Sequence, residues 1–471
     1  MKKEKKTIEI TLDSIAFEGS AVGRIYGKVY FIKNAVPGDK VVSVITKSKK
    51  NFAEGYLEKI ITPSKFRVDP KCKYFGECGG CNWQNLEYHK QLEWKKQNVI
   101  DAFERIGNFY NLEILDTIGS HQVYNYRNKM EFSFGANRWL RNVEISNNKA
   151  LINKEFALGL HISGRFDKII DLEYCELQNQ YANEILKYIK TKSLKEKISA
   201  YNLKNHSGFL RSLIIRYSLY QDSFMIILIT NQINNQNEEL FLNDLSNNLI
   251  NKFNKISNLV YAINISKNPV AIDSINIIYG DGYFYEKILD IKYKISPFSF
   301  FQTNSYQINN FISKILEFAN INVKDIVWDL FCGAGSITLP AAKQCEFIYG
   351  VELSNSAIID ANFNKELNNI SNVEFLNIDL NNKNSLNQLN SLPYPDIVIL
   401  DPPRAGLSSH LIDYINKIKV KKIVYVSCNP TTQARDCKLL NENYEIIKLQ
   451  PVDMFPHTYH IENIALLILK A

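Results

Sequence analysis

Ile326-Val327-Trp328-Asp329-Leu330-Phe331-Cys332-Gly333-Ala334-Gly335-Ser336 is the stretch on which the reading of the fold turns. Its first five residues are mostly apolar, as a strand buried on both faces must be. Gly333 and Gly335 then free the backbone for a tight turn and for close approach to a ligand. The apolar run Ile337 to Ala342 reads as the start of a helix, whose first N–H groups lack intrahelical partners. From here strand and helix patterns alternate, which predicts a doubly wound α/β sheet. Candidate strands are Ile326 to Leu330, Phe347 to Val351, Val373 to Ile378, Ile397 to Leu400, Ile423 to Val426, Tyr444 to Leu449 and Ile464 to Leu469. The last two stand too close for a crossover helix, so the final strand is expected to run antiparallel.

Open α/β sheets bind ligands at the carboxyl ends of their strands. The loop after Leu330 is not a dinucleotide fingerprint, because a third glycine at the required spacing is missing. No Gly-Lys-Ser/Thr comes after it, which excludes a phosphate-cradling loop. Glu352, 19 residues past Gly333, ends the second strand and can accept both hydroxyls of a ribose. Asp379 ends the third and can meet an adenine edge. This ordered set reads as a site for S-adenosylmethionine; an ordinary turn flanked by solvated acids is the blander account.

Two further strand ends carry chemistry. Ile397 to Leu400 runs into Asp401-Pro402-Pro403-Arg404, and Ile423 to Val426 into Ser427-Cys428-Asn429-Pro430. Many amino-group methyltransferases place an aromatic after the two prolines; Arg404 there disfavours that reaction. A lone cysteine is more often a buried structural residue, yet Cys428 comes after a cofactor loop and an acidic strand end. Carbon 5 of a uracil is too weak a nucleophile to attack a sulfonium methyl unaided. A thiolate that adds to carbon 6 makes carbon 5 enolate-like. A base must then remove the carbon 5 proton, and Glu462 in His460-Ile461-Glu462 supplies a carboxylate in the same half of the chain.

The remaining chain is organised differently. At 471 residues several domains are expected. An apolar fraction of 45% with 22% charged residues is ordinary for a globular protein. The formal charge is +7, and residues 1 to 65 hold 13 Lys and Arg against 7 Asp and Glu. Nearly all the surplus is therefore N-terminal, as in a module that docks on phosphates. Thr7 to Ser64 alternates short β-prone runs with Gly19, Gly23, Gly27 and Pro37-Gly38-Asp39, which predicts a five-stranded OB-like barrel. Its basic and aromatic residues, among them Arg24, Tyr26, Lys28, Tyr30, Lys49 and Phe52, suit stacking with phosphate contact. A helix is expected over Tyr88 to Ile106, mixed β structure with some helix from Tyr126 to Lys287, and a helix or loop in the asparagine-rich Asn231 to Asn254. The reading divides the chain at 1–64, 65–290 and 291–471. Glu9, Asp13 and Glu18 interrupt the segment after the basic start, so no secretory signal is expected, nor any membrane span; the expected compartment is the cytoplasm, hence a cytoplasmic protein. Nothing points to an obligate protein partner.

Eight cysteines in such a protein argue against a disulfide framework. Cys72, Cys78 and Cys81 cluster in a glycine-rich knuckle, and Cys175 is the one cysteine outside the C-terminal half available as a fourth ligand. Spacing alone leaves zinc and an iron–sulfur cluster equally open.

Ser299-Phe300-Phe301-Gln302-Thr303-Asn304, Asp329 to Gly335, Asp401 to Arg404, Ser427 to Pro430 and His460 to Glu462 together resemble the bacterial RNA uracil-C5 methyltransferases. The barrel, with Gly19 to Arg24 and Pro37-Gly38-Asp39, is similar to the TRAM domain of that family. The resemblance runs nearly end to end. It implies Cys428 as nucleophile, Glu462 as base and Asp401 beside both cofactor and target base. Gln302, Phe331, Ser336, Glu352 and Asp379 would line the S-adenosylmethionine pocket. It also implies a [4Fe–4S] cluster on Cys72, Cys78, Cys81 and Cys175, and 23S ribosomal RNA as substrate. Transfer RNA is the nearest alternative, and a non-catalytic RNA-binding assembly factor the alternative from another class.

Overall fold

The computed structural model describes residues 6–146, 154–162, 164–165 and 167–471. Six strands form the N-terminal sheet: β1 Thr7–Thr11, β2 Ser14–Ile15, β3 Ala21–Ile25, β4 Lys28–Lys33, β5 Lys40–Ser48 and β6 Phe52–Thr62, in the order β1-β5-β6-β4-β3-β2. The sheet curls on itself. A Cβ at Gly23 on β3 would fall 2.4 Å from the Thr11 carbonyl at the end of β1, so only glycine permits that approach. The sixth strand, against the five expected, is the two-residue β2, too short to leave a periodic signal. Buried Asp39 fastens the barrel to the segment beyond β6, accepting from Val36 N and Ser64 N at 2.9 Å each and pairing with Arg67 at 2.5 Å.

Helix α1 (Tyr88–Ala102) comes next and continues into a π turn at Phe103–Gly107, so the helical run reaches the expected end at Ile106 with its last turn widened. The central sheet holds β7 Lys129–Gly135, β8 Arg138–Trp139, β9 Ala157–His161, β10 Ile169–Asp171, β11 Leu210–Ser218, β12 Ser223–Thr230, β13 Ile256–Ile263 and β14 Ser274–Tyr279. Its order is β14-β13-β12-β11-β7-β9-β10-β8. Helices α2 (Asn142–Ser146), α3 (Gln180–Lys195) and α4 (Gln236–Lys252) accompany it, and α4 resolves the asparagine-rich piece as a helix capped by Asn235. Strand β12 explains its own unbroken apolar run. Phe224, Ile226 and Leu228 face a core shared with α3 and α4, whereas Met225, Ile227 and Ile229 face a second core.

That second core joins the central sheet to the C-terminal half. It contains the hairpin β15 (Phe284–Ile288) and β16 (Ile291–Ile295), whose turn spans the expected 290/291 boundary, and helix α5 (Ile308–Ala319). The C-terminal sheet has β17 Ile326–Leu330, β18 Phe347–Glu352, β19 Val373–Asn377, β20 Ile397–Leu400, β21 Lys422–Ser427, β22 Tyr444–Val452 and β23 Glu462–Leu469. Its order is β19-β18-β17-β20-β21-β23-β22; the first five are parallel, and β23 runs antiparallel to both of its neighbours. Helices α6 (Thr338–Ala342), α7 (Asn355–Leu367), α8 (Lys383–Leu386), α9 (Ser409–Ile418) and α10 (Pro430–Leu440) complete it. Alternate residues of each strand again serve two cores, with Val424 and Val426 on one side and Ile423 and Tyr425 on the other. Val99, Ala102 and Phe103 of the α1 region pack into the latter, beside α9 and α10. Residues 113–118 extend the sheet past β22 through bonds such as Leu115 N to Leu449 O at 2.9 Å. Among the described residues no helix is long and apolar enough to cross a membrane.

Candidate active site and cysteine cavity

Strand order reverses between β17 and β20, and a crevice opens beyond the carboxyl ends at such a switch point. A cleft of about 800 Å³ lies there. Gln302, Phe331, Ser336, Glu352, Asp379, Asp401, Cys428 and Glu462 all line it, so every residue singled out for methyl transfer comes to one place.

The loop after β17 is shaped by its backbone. Phe331, Gly333 and Gly335 have φ of +71°, +55° and +85°. A left-handed phenylalanine costs on the order of 1 kcal/mol and persists only where its surroundings fix it. Here Phe331 N and Cys332 N both donate to Val351 O, at 2.8 and 3.0 Å. A Cβ at Gly333 would meet nothing within 4 Å, so the space above it is open to a ligand. The helix that comes after it has only five residues, and the loop rather than the helix end shapes this wall. Glu352 ties the loop to β18, accepting from Gly333 N at 3.2 Å and Ser354 N at 2.7 Å. Asp379 lies two residues past β19 and accepts from Asn381 N at 2.9 Å. Gln302 is placed by the central domain: Asn128 Nδ2 donates to its carbonyl at 2.8 Å and to Ser305 Oγ at 2.7 Å.

At the opposite wall the loops after β20 and β21 are stitched together. Asn429 Nδ2 and Thr432 Oγ1 each donate to Arg404 O at 3.2 Å. Burial pushes the Cys428 thiol up to about 11, with Glu462's charge adding to the effect and Arg404's cation opposing it. Asp401 is raised to about 7 by burial. Glu462 is held well above the carboxylate range by burial first and Asp401's charge second, again against Arg404. Three acids raised chiefly by burial, with Asp401 adding to the shift of the other two, stand beside one cation, a setting suited to holding and passing protons.

Several lining residues were not singled out from the sequence. Arg127 and Thr303 present Nε and Oγ1 atoms that are buried without a hydrogen-bond partner, as a cleft awaiting a polar ligand would. Phe300, 76% exposed, stands at the same cleft, as do Phe455 and His460. Phe300 and His460 belong to the Ser299–Asn304 and His460–Glu462 motifs, whereas Arg127 is a solitary arginine in the central domain.

A second, much smaller space of about 30 Å³ is lined by Cys72, Cys78, Cys81 and Cys175. Two N–H donors point at its sulfurs: Gly80 N at 3.4 Å from Cys78 Sγ and Gln84 Nε2 at 3.2 Å from Cys81 Sγ. Burial raises all four thiols, Cys78 to about 12 and Cys175 to about 11; neighbouring sulfurs add to the shift at Cys78, Cys81 and Cys175, and Glu176 adds to it at Cys72. All eight cysteines are free. Among the described residues no three His, Cys, Asp or Glu are arranged to hold a metal ion as they stand. The four thiols thus surround a cavity without forming a closed ligand set.

A model of tRNA (uracil-5-)-methyltransferases matches residues 279–470, and one of the TRAM domain matches residues 2–57. An uncharacterized RNA methyltransferase of Bacteroides thetaiotaomicron is 38% identical over 457 residues, 97% of this chain and 100% of that protein. One from Porphyromonas gingivalis is 37% identical, covering 98% and 99%. Among solved structures, the Pyrococcus abyssi tRNA (uracil-54, C5)-methyltransferase in complex with S-adenosyl-L-homocysteine superposes with a TM-score of 0.74 at 28% identity, covering 98% of this chain and 100% of that one. Glycine loop, acidic strand ends, cysteine turn and N-terminal barrel all agree with these matches: the chain belongs to the S-adenosylmethionine-dependent RNA uracil-C5 methyltransferase family and begins with a TRAM domain.

Proposed function

We propose that the protein methylates carbon 5 of a uridine in 23S ribosomal RNA through a covalent bond between Cys428 and carbon 6. The supporting observation is the convergence of Cys428, Asp401 and Glu462, from three separate strand ends, on the cleft that the glycine loop also lines. In this reading Cys428 Sγ gives its electron pair to carbon 6, and the C5–C6 pair moves toward the carbonyl at carbon 4. Arg404 favours the thiolate that begins the attack. Asp401, which keeps its proton up to about pH 7, is suited to donate to the carbonyl on which charge develops. Carbon 5 takes the methyl group, and the sulfonium leaves as a thioether. The ionised form of Glu462, which Arg404 favours against burial, then removes the proton from carbon 5, the C5=C6 bond reforms, and the C6–S bond breaks to release Cys428.

RNA fits the surroundings. A groove of about 1410 Å³ runs from the barrel past the cysteine knuckle, carries Lys33, Tyr56, Trp139 and Arg165, and shares Arg127 and His460 with the cleft. Tyr26, fully exposed, caps a hairpin on the barrel. Uridine must leave its stack to enter. Transfer RNA is a second reading, favoured by the Pyrococcus enzyme, whose likeness extends over 98% of this chain and so includes the barrel. Mapping 5-methyluridine in ribosomal and transfer RNA with and without the gene separates the two. Incubation with 5-fluorouridine RNA and S-adenosylmethionine tests catalysis itself: an enzyme traps a covalent complex, a non-catalytic assembly factor does not.

We also propose that the four cysteines hold a [4Fe–4S] cluster. The donor set is all-sulfur, enclosed by apolar residues, and supplied with two N–H groups aimed at the sulfurs. Such a cluster would tie the knuckle to Cys175 and the central sheet. Anaerobically purified protein is expected to be brown with a broad band near the blue edge of the visible; colourless, zinc-loaded protein overturns the assignment.

A further inference from the structure

Glu462 is the first residue of β23 and lies beyond the last rung that β21 provides, since Ser427 pairs with Asn463. Its only ladder partner is Val452, at the end of β22. What aims it is therefore the loop 453–461 between the two strands; residues between 82 and 126 hold most of that loop, and Asn304 Nδ2 donates to Met454 O at 3.1 Å.

Two clamps are visible. Asp453 is fully buried, as is Lys95 of α1. Lys95 Nζ donates to Asp453 Oδ1 at 2.6 Å and to Phe455 O at 3.1 Å, while Tyr88 Oη donates to Asp453 Oδ2 at 2.9 Å. Four residues on, His457 adopts φ +66°. Its N–H donates to Gln91 Oε1 at 2.9 Å, and its Nδ1 lies 3.2 Å from Gln91 Nε2. The His457 carbonyl accepts from Asn82 N at 2.9 Å and Trp83 N at 3.1 Å, the two residues directly after Cys81. Between the clamps, Tyr126 Oη donates to Pro456 O at 3.1 Å. Past them, Tyr459 meets Phe17 of the barrel edge to face at 5.9 Å, and His460 and Glu462 emerge into the cleft. A buried ion pair is a poor source of stability compared with an apolar pair of the same size, so its use here points to placement.

We infer that Lys95, Tyr88 and Gln91 are positioning residues for the last chemical step, holding loop 453–461 so that Glu462 reaches the carbon 5 proton. The inference rests on Glu462 as the base, and it assigns the clamps no part in thiol attack or methyl transfer. In the step they serve, the C5–H pair becomes the C5=C6 bond, the C6–S pair returns to sulfur, and the proton passes to the carboxylate. With the clamps loosened, attack and methylation proceed and the methylated adduct waits.

The test uses the whole protein with two RNAs. On ordinary uridine RNA with S-adenosylmethionine, Gln91→Leu and the milder Tyr88→Phe are expected to lower kcat by about 10- to 100-fold, a part of the roughly 10²- to 10⁴-fold that a general base contributes. KM for RNA stays unchanged, and a denaturant-stable adduct that carries the methyl group accumulates. On 5-fluorouridine RNA, where no base can remove the fluorine as a proton, both variants trap at the wild-type rate. Gln91→Glu, which keeps an oxygen for the His457 N–H, restores part of the turnover. Trapping that falls in step with turnover, or turnover that is unaltered in both variants, overturns the inference. Wild-type protein that fails to trap 5-fluorouridine RNA overturns instead the reading of the cleft on which it rests.

Discussion

Two regions of this molecule collect buried thiols, and they use them oppositely. Around Cys72, Cys78, Cys81 and Cys175 the space is about 30 Å³ and mostly apolar; around Cys428 it is about 800 Å³, shared with Asp401, Glu462 and Arg404. Burial raises the thiols in both places. Guanidiniums oppose the shift in both, Arg127 and Arg141 at the first and Arg404 at the second. What only the second adds is room for a planar substrate between two acids. A sulfur in a space too small for a substrate suits a fixed group, whereas one facing a nucleotide-sized cleft suits a bond that forms and breaks.

The comparison is easiest to break at Cys428. Cys428→Ala should lower methylation by at least about 10³-fold and abolish trapping on 5-fluorouridine RNA, with folding intact by circular dichroism. Cys81→Ser should do the reverse: iron content and visible colour are lost and unfolding stability falls by on the order of 3 kcal/mol, measured by denaturant titration, while Cys428 stays in place.

Asp401→Asn sharpens the contrast through pH. The folded carboxyl is raised to about 7 by burial, well above its unfolded value, so the folded state keeps the proton longer. The resulting penalty is absent below about pH 4, grows as pH rises to about 7, and is constant above that. The variant should therefore be more stable at pH 8, by up to about 4 kcal/mol, and equal to wild type at pH 4 in thermal melts, although inactive. Alkylation reads the same chemistry kinetically. With its thiol near 11, Cys428 should react with iodoacetamide about tenfold faster per pH unit between 7 and 9. The smallest effect belongs to the barrel: Tyr26→Ala should weaken RNA binding by about 1 kcal/mol, seen as a higher KM with unchanged kcat.

Much of the C-terminal half was legible because parallel strands buried on both faces leave continuous apolar runs, each ending at a residue with chemistry. Glu352, Asp401 and Cys428 mark three such ends. The antiparallel β23 was legible from simple lack of room. Other features carry no local pattern. β2 has two residues, and a period cannot be read from two. Arg127 reaches the cleft from another domain, with no motif around it. Lys95 and Asp453 pair across 358 positions, and neither residue's neighbours distinguish it from a solvated charge. The resemblance implied ribosomal RNA, yet a transfer-RNA enzyme is similar across nearly the full length, so the architecture alone does not separate the two substrates.

Because β22 reaches the sheet only through β23, docking of β23 on β21 is what attaches both strands. The same pairing carries the carboxylate of Glu462 to the cleft that holds the sulfur of Cys428. A molecule in which that strand had not docked would own the weapon without the release catch.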